Sequence, residues 1–234
     1  KFAFTEPERY WHYLHHLFPA NPFLVCALDI AGWDLYGKLK GKPHKEIWQP
    51  KEPLQPVTDY TIGIDTVEKM VAKMQEKQWP IYKIKLGTDN DVEIIEALRK
   101  HTNATLRIDA NAAWTVEEAL QKIEAFKNLN IEFIEQPLAK EDWEGMRVLY
   151  QKSPIPLIAD ESCVFESEVE KCVNHFHGIN IKLTKCSGIT PALRMIKRAR
   201  ELNLKVMVGS MNESTVGSAA IAHLMLLVVY VDAV

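Results

Sequence analysis

Four short apolar runs in this chain each end in charged residues, and they follow one another at intervals of about 25 residues. They are Tyr82-Lys83-Ile84-Lys85, Arg107-Ile108-Asp109, Phe133-Ile134-Glu135 and Ile158-Ala159-Asp160. A repeat of that length accommodates one strand, one helix and two loops, which is the unit of a parallel β/α barrel. Because the carboxyl ends of the strands converge in such a barrel, the pattern predicts that these charged side chains meet in space.

Strand and helix patterns alternate along the chain from Val57 onward. An open parallel sheet would need both faces covered, so a closed eight-stranded barrel is the more economical arrangement. We therefore predict an α/β fold, a parallel (β/α)7β TIM-like barrel. Strands are expected at about 57–63, 81–86, 105–109, 131–135, 156–159, 178–182, 205–209 and 228–233, and helices near 66–77, 90–101, 115–128, 141–151, 166–174, 190–202 and 214–226.

The segment before this alternation has a helical pattern throughout. Glu6-Pro7 is typical of a helix start, and Asn21-Pro22 indicates a second helix capped by Asn21. A proline-rich stretch around residue 50 then marks a boundary. We predict a helical segment over 1–50 and a β/α barrel over 51–234. Because the chain starts without Met and ends on an apolar run, we expect it to be part of a longer protein.

Composition excludes several classes of function. The 234 residues are 47% hydrophobic, enough for a full core, and the net charge of −3 offers no basic surface for nucleic acid. The longest apolar run, 224–231, is far shorter than the roughly 20 residues of a membrane span. The four cysteines are scattered, which favours free thiols and a cytoplasmic protein.

Asp109, Glu135 and Asp160 are the candidate metal ligands. Three carboxylates at equivalent ends of successive strands would repel one another unless a cation lay between them. Carboxylates without histidine or cysteine favour Mg²⁺, with Mn²⁺ as a substitute, over Zn²⁺.

Lysines beside these carboxylates are the candidate proton-transfer groups. Lys83 and Lys85 share one face of a strand, since side chains alternate with a period of two. Lys182 ends a later strand and would face Lys85 across the barrel, with Lys185 as a competitor placed beyond the strand end. Two bases flanking a substrate carbon over a divalent cation are suited to removing and returning a proton next to a carboxylate.

The motifs that carry these residues resemble the enolase superfamily, its muconate-lactonizing subgroup, and most closely its dipeptide epimerases of the Ala-Glu epimerase type. The resemblance implies Mg²⁺ on the three carboxylates, Lys85 and Lys182 as the acid/base pair, and Lys83 assisting Lys85. It also implies substrate contacts from Glu213, Asp232 and Asn180. The matching runs are Lys83-Ile-Lys85-Leu-Gly, Arg107-Ile-Asp109-Ala-Asn111, Ile134-Glu135-Gln136-Pro137, Ala159-Asp160-Glu161-Ser162, Asn180-Ile-Lys182 and Gly209-Ser-Met-Asn-Glu213-Ser214.

Family members also have an N-terminal capping domain, of which residues 1–50 would be the C-terminal part. Their Asp-x-Asp motif at the last strand is matched here only by its first residue, in Asp232-Ala233-Val234. The resemblance implies an isomerase, a Mg-dependent epimerase that moves the α-proton of a carboxylate, preferably a dipeptide, through an enediolate. The alternatives are a muconate cycloisomerase or o-succinylbenzoate synthase-like lyase, and an inactive truncated barrel. The expected partners are small-molecule carboxylates or dipeptides; nucleic acid and membrane are not expected, and a homo-oligomer is compatible with the sequence.

Overall fold

The computed structural model describes residues 3–50 and 53–233. The outer limits of the two predicted domains at residues 1, 51 and 234 lie outside these ranges, and the domain division remains a prediction. None of the helices in the described ranges combines the length and the apolar character that a membrane-spanning helix requires.

The strands form one parallel sheet in which spatial order follows sequence order. This order confirms the predicted fold class, because parallel neighbours need a crossover after every strand and the helices lie in those crossovers. The eight strands of the described residues are β1 (Tyr60–Ile62), β2 (Ile81–Lys85), β3 (Thr105–Asp109), β4 (Ile131–Glu135), β5 (Leu157–Ala159), β6 (Gly178–Lys182), β7 (Lys205–Gly209) and β8 (Tyr230–Asp232).

The register of the sheet aligns the charged strand ends. Lys85 on β2 pairs with Asp109 on β3, which in turn pairs with Glu135 on β4. These three residues therefore occupy one level at the carboxyl ends of three adjacent strands. The next pairing along the sheet sets Glu135 opposite Ile158, so Asp160 lies two residues beyond that level.

The helices fill the intervals between the strands and the N-terminal segment. The α-helices in the described ranges are α1 (Pro7–Leu17), α2 (Pro22–Lys40), α3 (His44–Trp48), α4 (Val67–Glu76), α5 (Asp91–Arg99), α6 (Val116–Phe126), α7 (Trp143–Lys152), α8 (Leu183–Cys186), α9 (Ile189–Glu201) and α10 (Thr215–Leu224).

Several helices begin where local sequence predicts. The Asn21 side chain accepts from the Leu24 N–H at the start of α2. Thr115 and Glu118 form a capping box on α6, each side chain accepting from the other's backbone N–H. Such caps satisfy amide groups that the first helical turn leaves without a partner.

One expectation for the helices is wrong. The helix expected at 166–174 is a pair of 3₁₀ turns, Glu166–Glu168 and Glu170–Cys172. The short helix α8 was not expected, whereas α3 lies within the segment 1–50 that was predicted to be helical. The helix expected near 190–202 is confirmed as α9, which begins at Ile189 after Gly188 with a φ of +133°. The side chain that caps α9 belongs to Asp29, which is distant in the sequence, so this cap cannot be recognised from the local sequence.

Contacts between residues divide the chain into two compact units. The first unit comprises Lys1–Pro56, Val164–Val169 and Asn180–Ala233, and the second comprises chiefly Val57–Cys163 and Glu170–Ile179. In the first, Trp11, Leu14 and Val25 form a buried cluster between α1 and α2. In the second, the predicted metal ligands lie at or directly after the ends of β3 to β5, and Lys83 and Lys85 lie on β2.

Candidate active site

The ammonium of Lys85 is held by a carboxylate on the neighbouring strand. Lys85 Nζ lies 2.6 Å from Asp109 Oδ2 and donates to Asn111 Oδ1 at 3.2 Å. The other carboxylate oxygen, Asp109 Oδ1, accepts from the Asn111 N–H at 3.0 Å. The Lys85 side chain keeps 29% exposure, whereas that of Asp109 keeps 1%. Lys85 is thus an oriented amine that remains accessible to a small molecule.

Lys83 is buried and joins two of the predicted metal ligands. Its Nζ lies 3.0 Å from Asp109 Oδ2 and 2.7 Å from Glu135 Oε2. Lys83 and Lys85 therefore share one carboxylate oxygen, as expected for lysines on one face of a strand. Asp109 and Glu135 are brought together with an ammonium between them.

The pKa of Asp109 reflects these two lysines. Burial by itself raises the pKa of a carboxyl group, because it disfavours the charged form. At Asp109 the positive charges of Lys83 and Lys85, and the hydrogen bonds that they donate, outweigh burial and lower the pKa from 3.8 to about 2. The group is therefore ionised at any pH at which the protein would work.

Asp160, the third predicted ligand, directly follows β5 and is buried. Its backbone N–H donates to the side chain of Gln136 at 3.1 Å. Within residues 3–50 and 53–233, no three His, Cys, Asp or Glu side chains form a group arranged to hold a metal ion. The structure joins Asp109 and Glu135 but does not place Asp160 with them in a ready-made cluster.

Asp91 is a residue of this region whose role sequence reasoning missed. Its buried carboxylate accepts from the N–H groups of Gly87 and Thr88, after β2, and from Trp114 Nε1, in the loop after β3, at 2.7 Å. Lys122 Nζ lies 2.7 Å away and balances the charge. Asp91 thus joins the loops that follow two candidate site strands. The spacing Thr88-x-x-Asp91, typical of a helix start, was the available signal.

Lys182 and Asn180 belong to the other compact unit. Both lie on β6 and both are buried, with Lys182 at the last position of the strand. Asn180 packs closely against Gly209 on β7, where a Cβ would lie 2.6 Å from Asn180 Oδ1. A side chain larger than hydrogen at 209 would therefore displace this amide.

The remaining predicted substrate contacts lie in the same unit as Lys182. Glu213 folds back on its own loop, and its Oε1 accepts from the Met211 N–H at 3.3 Å. Asp232 ends β8, pairs with Gly209 on β7 and is 7% exposed. Its carbonyl accepts from the Ser210 N–H at 2.8 Å. The roles assigned to these residues remain predictions.

The model of the enolase C-terminal domain-like family matches residues 65–231, which include every candidate site residue except Asp232. The chain belongs to this family. The resemblance inferred from the strand-end motifs is confirmed.

The chain is similar to proteins that carry a functional name and to proteins whose structures have been solved. An L-Ala-D/L-amino acid epimerase of Maribacter sp. is 58% identical over 231 residues, which cover 99% of this chain and 68% of the relative. A dipeptide epimerase structure from Enterococcus faecalis V583, complexed with Mg and the dipeptide L-Leu-L-Tyr, has a TM-score of 0.91 at 32% identity. That alignment covers 97% of this chain and 67% of the solved chain.

A third similar protein is a dipeptide epimerase from Cytophaga hutchinsonii, solved with Mg and D-Ala-L-Val. Its TM-score is 0.92 at 30% identity, and the alignment covers 98% of this chain and 66% of that one. The family's β/α fold is therefore shared over nearly the whole of this chain.

Proposed function

We propose that this chain is a Mg²⁺-dependent dipeptide epimerase, which removes and returns the α-proton of the substrate's carboxyl-terminal residue. The observation that carries the proposal is the placement of Lys85: an accessible ammonium held 2.6 Å from a buried carboxylate. The names of the similar proteins support dipeptides as the substrate class.

The residues at the ends of β3 to β5 fit a divalent cation by their chemistry. Asp109, Glu135 and Asp160 are buried carboxylates, and only hard oxygen donors are present among them. Buried carboxylates need positive charge nearby, and two ammonium groups face two of them, Asp109 and Glu135. We propose these three as the Mg²⁺ ligands; Mn²⁺ would be a substitute. When bound, the cation would supply charge stabilisation to the substrate carboxylate.

Lys85 and Lys182 are proposed as the two bases. Lys85 would exchange a proton with the α-carbon on one face of the substrate, and Asp109 and Asn111 would orient its amine. Lys182, at the end of β6, would serve the other face. Lys83, enclosed between Asp109 and Glu135, would keep the positive charge that holds these carboxylates ionised.

Asp232 is proposed as the partner of the dipeptide's free ammonium. A cation that loses water on binding needs a negative partner, and Asp232 is the acidic residue at the end of the last strand. We expect Asp232→Asn to raise KM for dipeptides but to have little effect on N-acylated analogues, which lack the ammonium. An equal rise in KM for both substrate types would contradict this role of Asp232.

The decisive experiment follows α-proton exchange in D₂O with L-Ala dipeptides and Mg²⁺. Lys85→Ala and Lys182→Ala should each abolish epimerisation, and each should still exchange the α-proton of one stereoisomer because the other base survives. Full turnover in both variants would contradict the two-base assignment. If the unaltered chain exchanges no α-proton, assays with muconate and with the o-succinylbenzoate precursor would decide between the lyase alternatives and an inactive barrel.

A further inference from the structure

Gln136, the residue after the predicted ligand Glu135, is fully buried and has no role in the proton transfer described above. Its side-chain oxygen Oε1 accepts from the backbone N–H of Asp160 and from that of Ser162, both at 3.1 Å. The side chain therefore reaches from the end of β4 to the segment that carries the third predicted ligand.

The amide nitrogen of the same side chain is equally engaged. Gln136 Nε2 donates to the Leu138 carbonyl at 2.8 Å and to Ser162 Oγ at 2.9 Å. Since a backbone N–H can only donate and a carbonyl can only accept, these partners fix the orientation of the amide. All four of its hydrogen-bonding positions are filled.

The backbone of Gln136 extends the connection to a third loop. Its carbonyl accepts from the Ala112 N–H at 2.8 Å, in the loop after Asp109, and its N–H donates to the Ile158 carbonyl on β5 at 2.9 Å. Its φ of +37° lies in the left-handed region, which a residue with a side chain adopts only where surrounding contacts hold it.

From these contacts we infer that Gln136 is a positioning residue, which sets the carboxyl ends of β3, β4 and β5, with Asp109, Glu135 and Asp160, in the arrangement that binds Mg²⁺. The inference rests on the proposed function for the identity of the metal. Gln136 would not itself hold the cation, because its side-chain amide is filled by protein partners. It would act through the backbone of Asp160 and of the loop after β3.

Glutamine is suited to this role because it offers two acceptor and two donor positions on one side chain. Leucine would fill similar space but leave the amides of Asp160 and Ser162 without their acceptor. Glutamate would keep that acceptor and lose the donors to Leu138 and Ser162. The two replacements therefore distinguish the bonds that Gln136 accepts from the Asp160 and Ser162 amides from the bonds that it donates to Leu138 and Ser162.

The test is Mg²⁺ titration calorimetry on the unaltered chain, Gln136→Leu, Gln136→Glu and Ser162→Ala. We expect Gln136→Leu to raise the Kd for Mg²⁺ by about 10- to 100-fold, the usual cost of losing a group that orients metal ligands. Ser162→Ala, which keeps the bond to the Asp160 N–H, should change the Kd less than about threefold.

Amide hydrogen exchange of the metal-free proteins provides a second measurement. Exchange of the Asp160 and Ser162 amides should accelerate in Gln136→Leu and stay slow in Gln136→Glu, which retains their acceptor. Tyr82→Phe is the matched control, since it removes hydroxyl bonds to the Met74 and Lys77 carbonyls at the amino end of β2. It should lower Tm without changing the Kd for Mg²⁺.

An unchanged Kd together with slow amide exchange in Gln136→Leu would overturn the inference. If Gln136→Leu does not fold, rapid exchange of the Asp160 amide in Gln136→Glu would overturn it instead. If the unaltered chain binds no Mg²⁺, the proposed function fails, and slow exchange in Gln136→Glu against rapid exchange in Gln136→Leu would still establish the connection between the loops.

Discussion

Two buried aspartates, one in each compact unit, are stabilised in opposite ways. Asp109 lies against the ammonium groups of Lys83 and Lys85, and its pKa falls to about 2. Asp29, on α2, accepts from the Thr190 N–H at 2.9 Å and from Thr190 Oγ1 at 2.7 Å. Burial raises the pKa of Asp29 to about 7, and these hydrogen bonds only partly offset it.

The difference shows that hydrogen bonds from neutral groups do not replace a cation for a buried carboxylate. Asp29 caps the amino end of α9, where the helix N–H groups favour negative charge. Its approach depends on Gly188, where a Cβ would lie 2.4 Å from Asp29 Oδ2. The cap joins two helices, whereas Lys83 and Lys85 keep the buried carboxylate of Asp109 ionised.

Among the changes that test this comparison, removal of the buried Lys83 ammonium should have the largest effect on stability. Lys83→Met leaves Asp109 and Glu135 without the ammonium between them, and we expect the free energy of unfolding to fall by about 3–5 kcal/mol. Chemical denaturation at neutral pH measures the loss. Saturating Mg²⁺ should recover part of it if the cation binds these carboxylates.

Lys85→Met is the control for that experiment. Lys85 is partly exposed, and Lys83 remains in place in this variant. The loss of Lys85 should therefore lower the free energy of unfolding clearly less than the loss of Lys83. Equal stability of the Lys83→Met variant and the unaltered chain would show that the buried pairs contribute nothing net.

The second prediction concerns pH and Asp29. Its pKa is raised from 3.8 to about 7 on folding, so its contribution to stability is fully present below pH 3.8 and is lost as the pH rises to about 7. The slope is at most about 1.4 kcal/mol per pH unit. Asp29→Asn, which cannot ionise, should lack this slope and gain stability relative to the unaltered chain between pH 4.5 and 7.5.

Urea denaturation of both proteins across that range isolates the contribution, because the other titrating groups are common to both. Parallel stability curves would show that Asp29 has the same pKa in the folded and unfolded chains.

The smallest effect is expected from removing a neutral hydrogen-bond donor to Asp29. Thr190→Val removes the hydroxyl that donates to Asp29 and accepts from Trp33 Nε1 at 2.9 Å. We expect a loss of about 1–3 kcal/mol and a further rise in the pKa of Asp29. Thr190→Ser keeps the hydroxyl and should retain most of the stability; if it loses as much as Thr190→Val, packing of the methyl group is the cause.

The sequence by itself determined the strand order, the level shared by Lys85, Asp109 and Glu135, and the cap at Asn21. Each of these follows from local chemistry or from a fixed repeat, since side chains alternate along a strand and caps act within one helical turn. Family membership followed from the same strand-end motifs.

Only the tertiary structure decided how the charges are balanced. It placed Lys83 between Asp109 and Glu135, and it brought Asp29 to the start of α9 across 161 residues of chain. Gln136 joined three loops in the same way. Such contacts depend on distance and burial after folding, and because the pKa of a carboxyl group depends on its surroundings, residue type alone does not specify it.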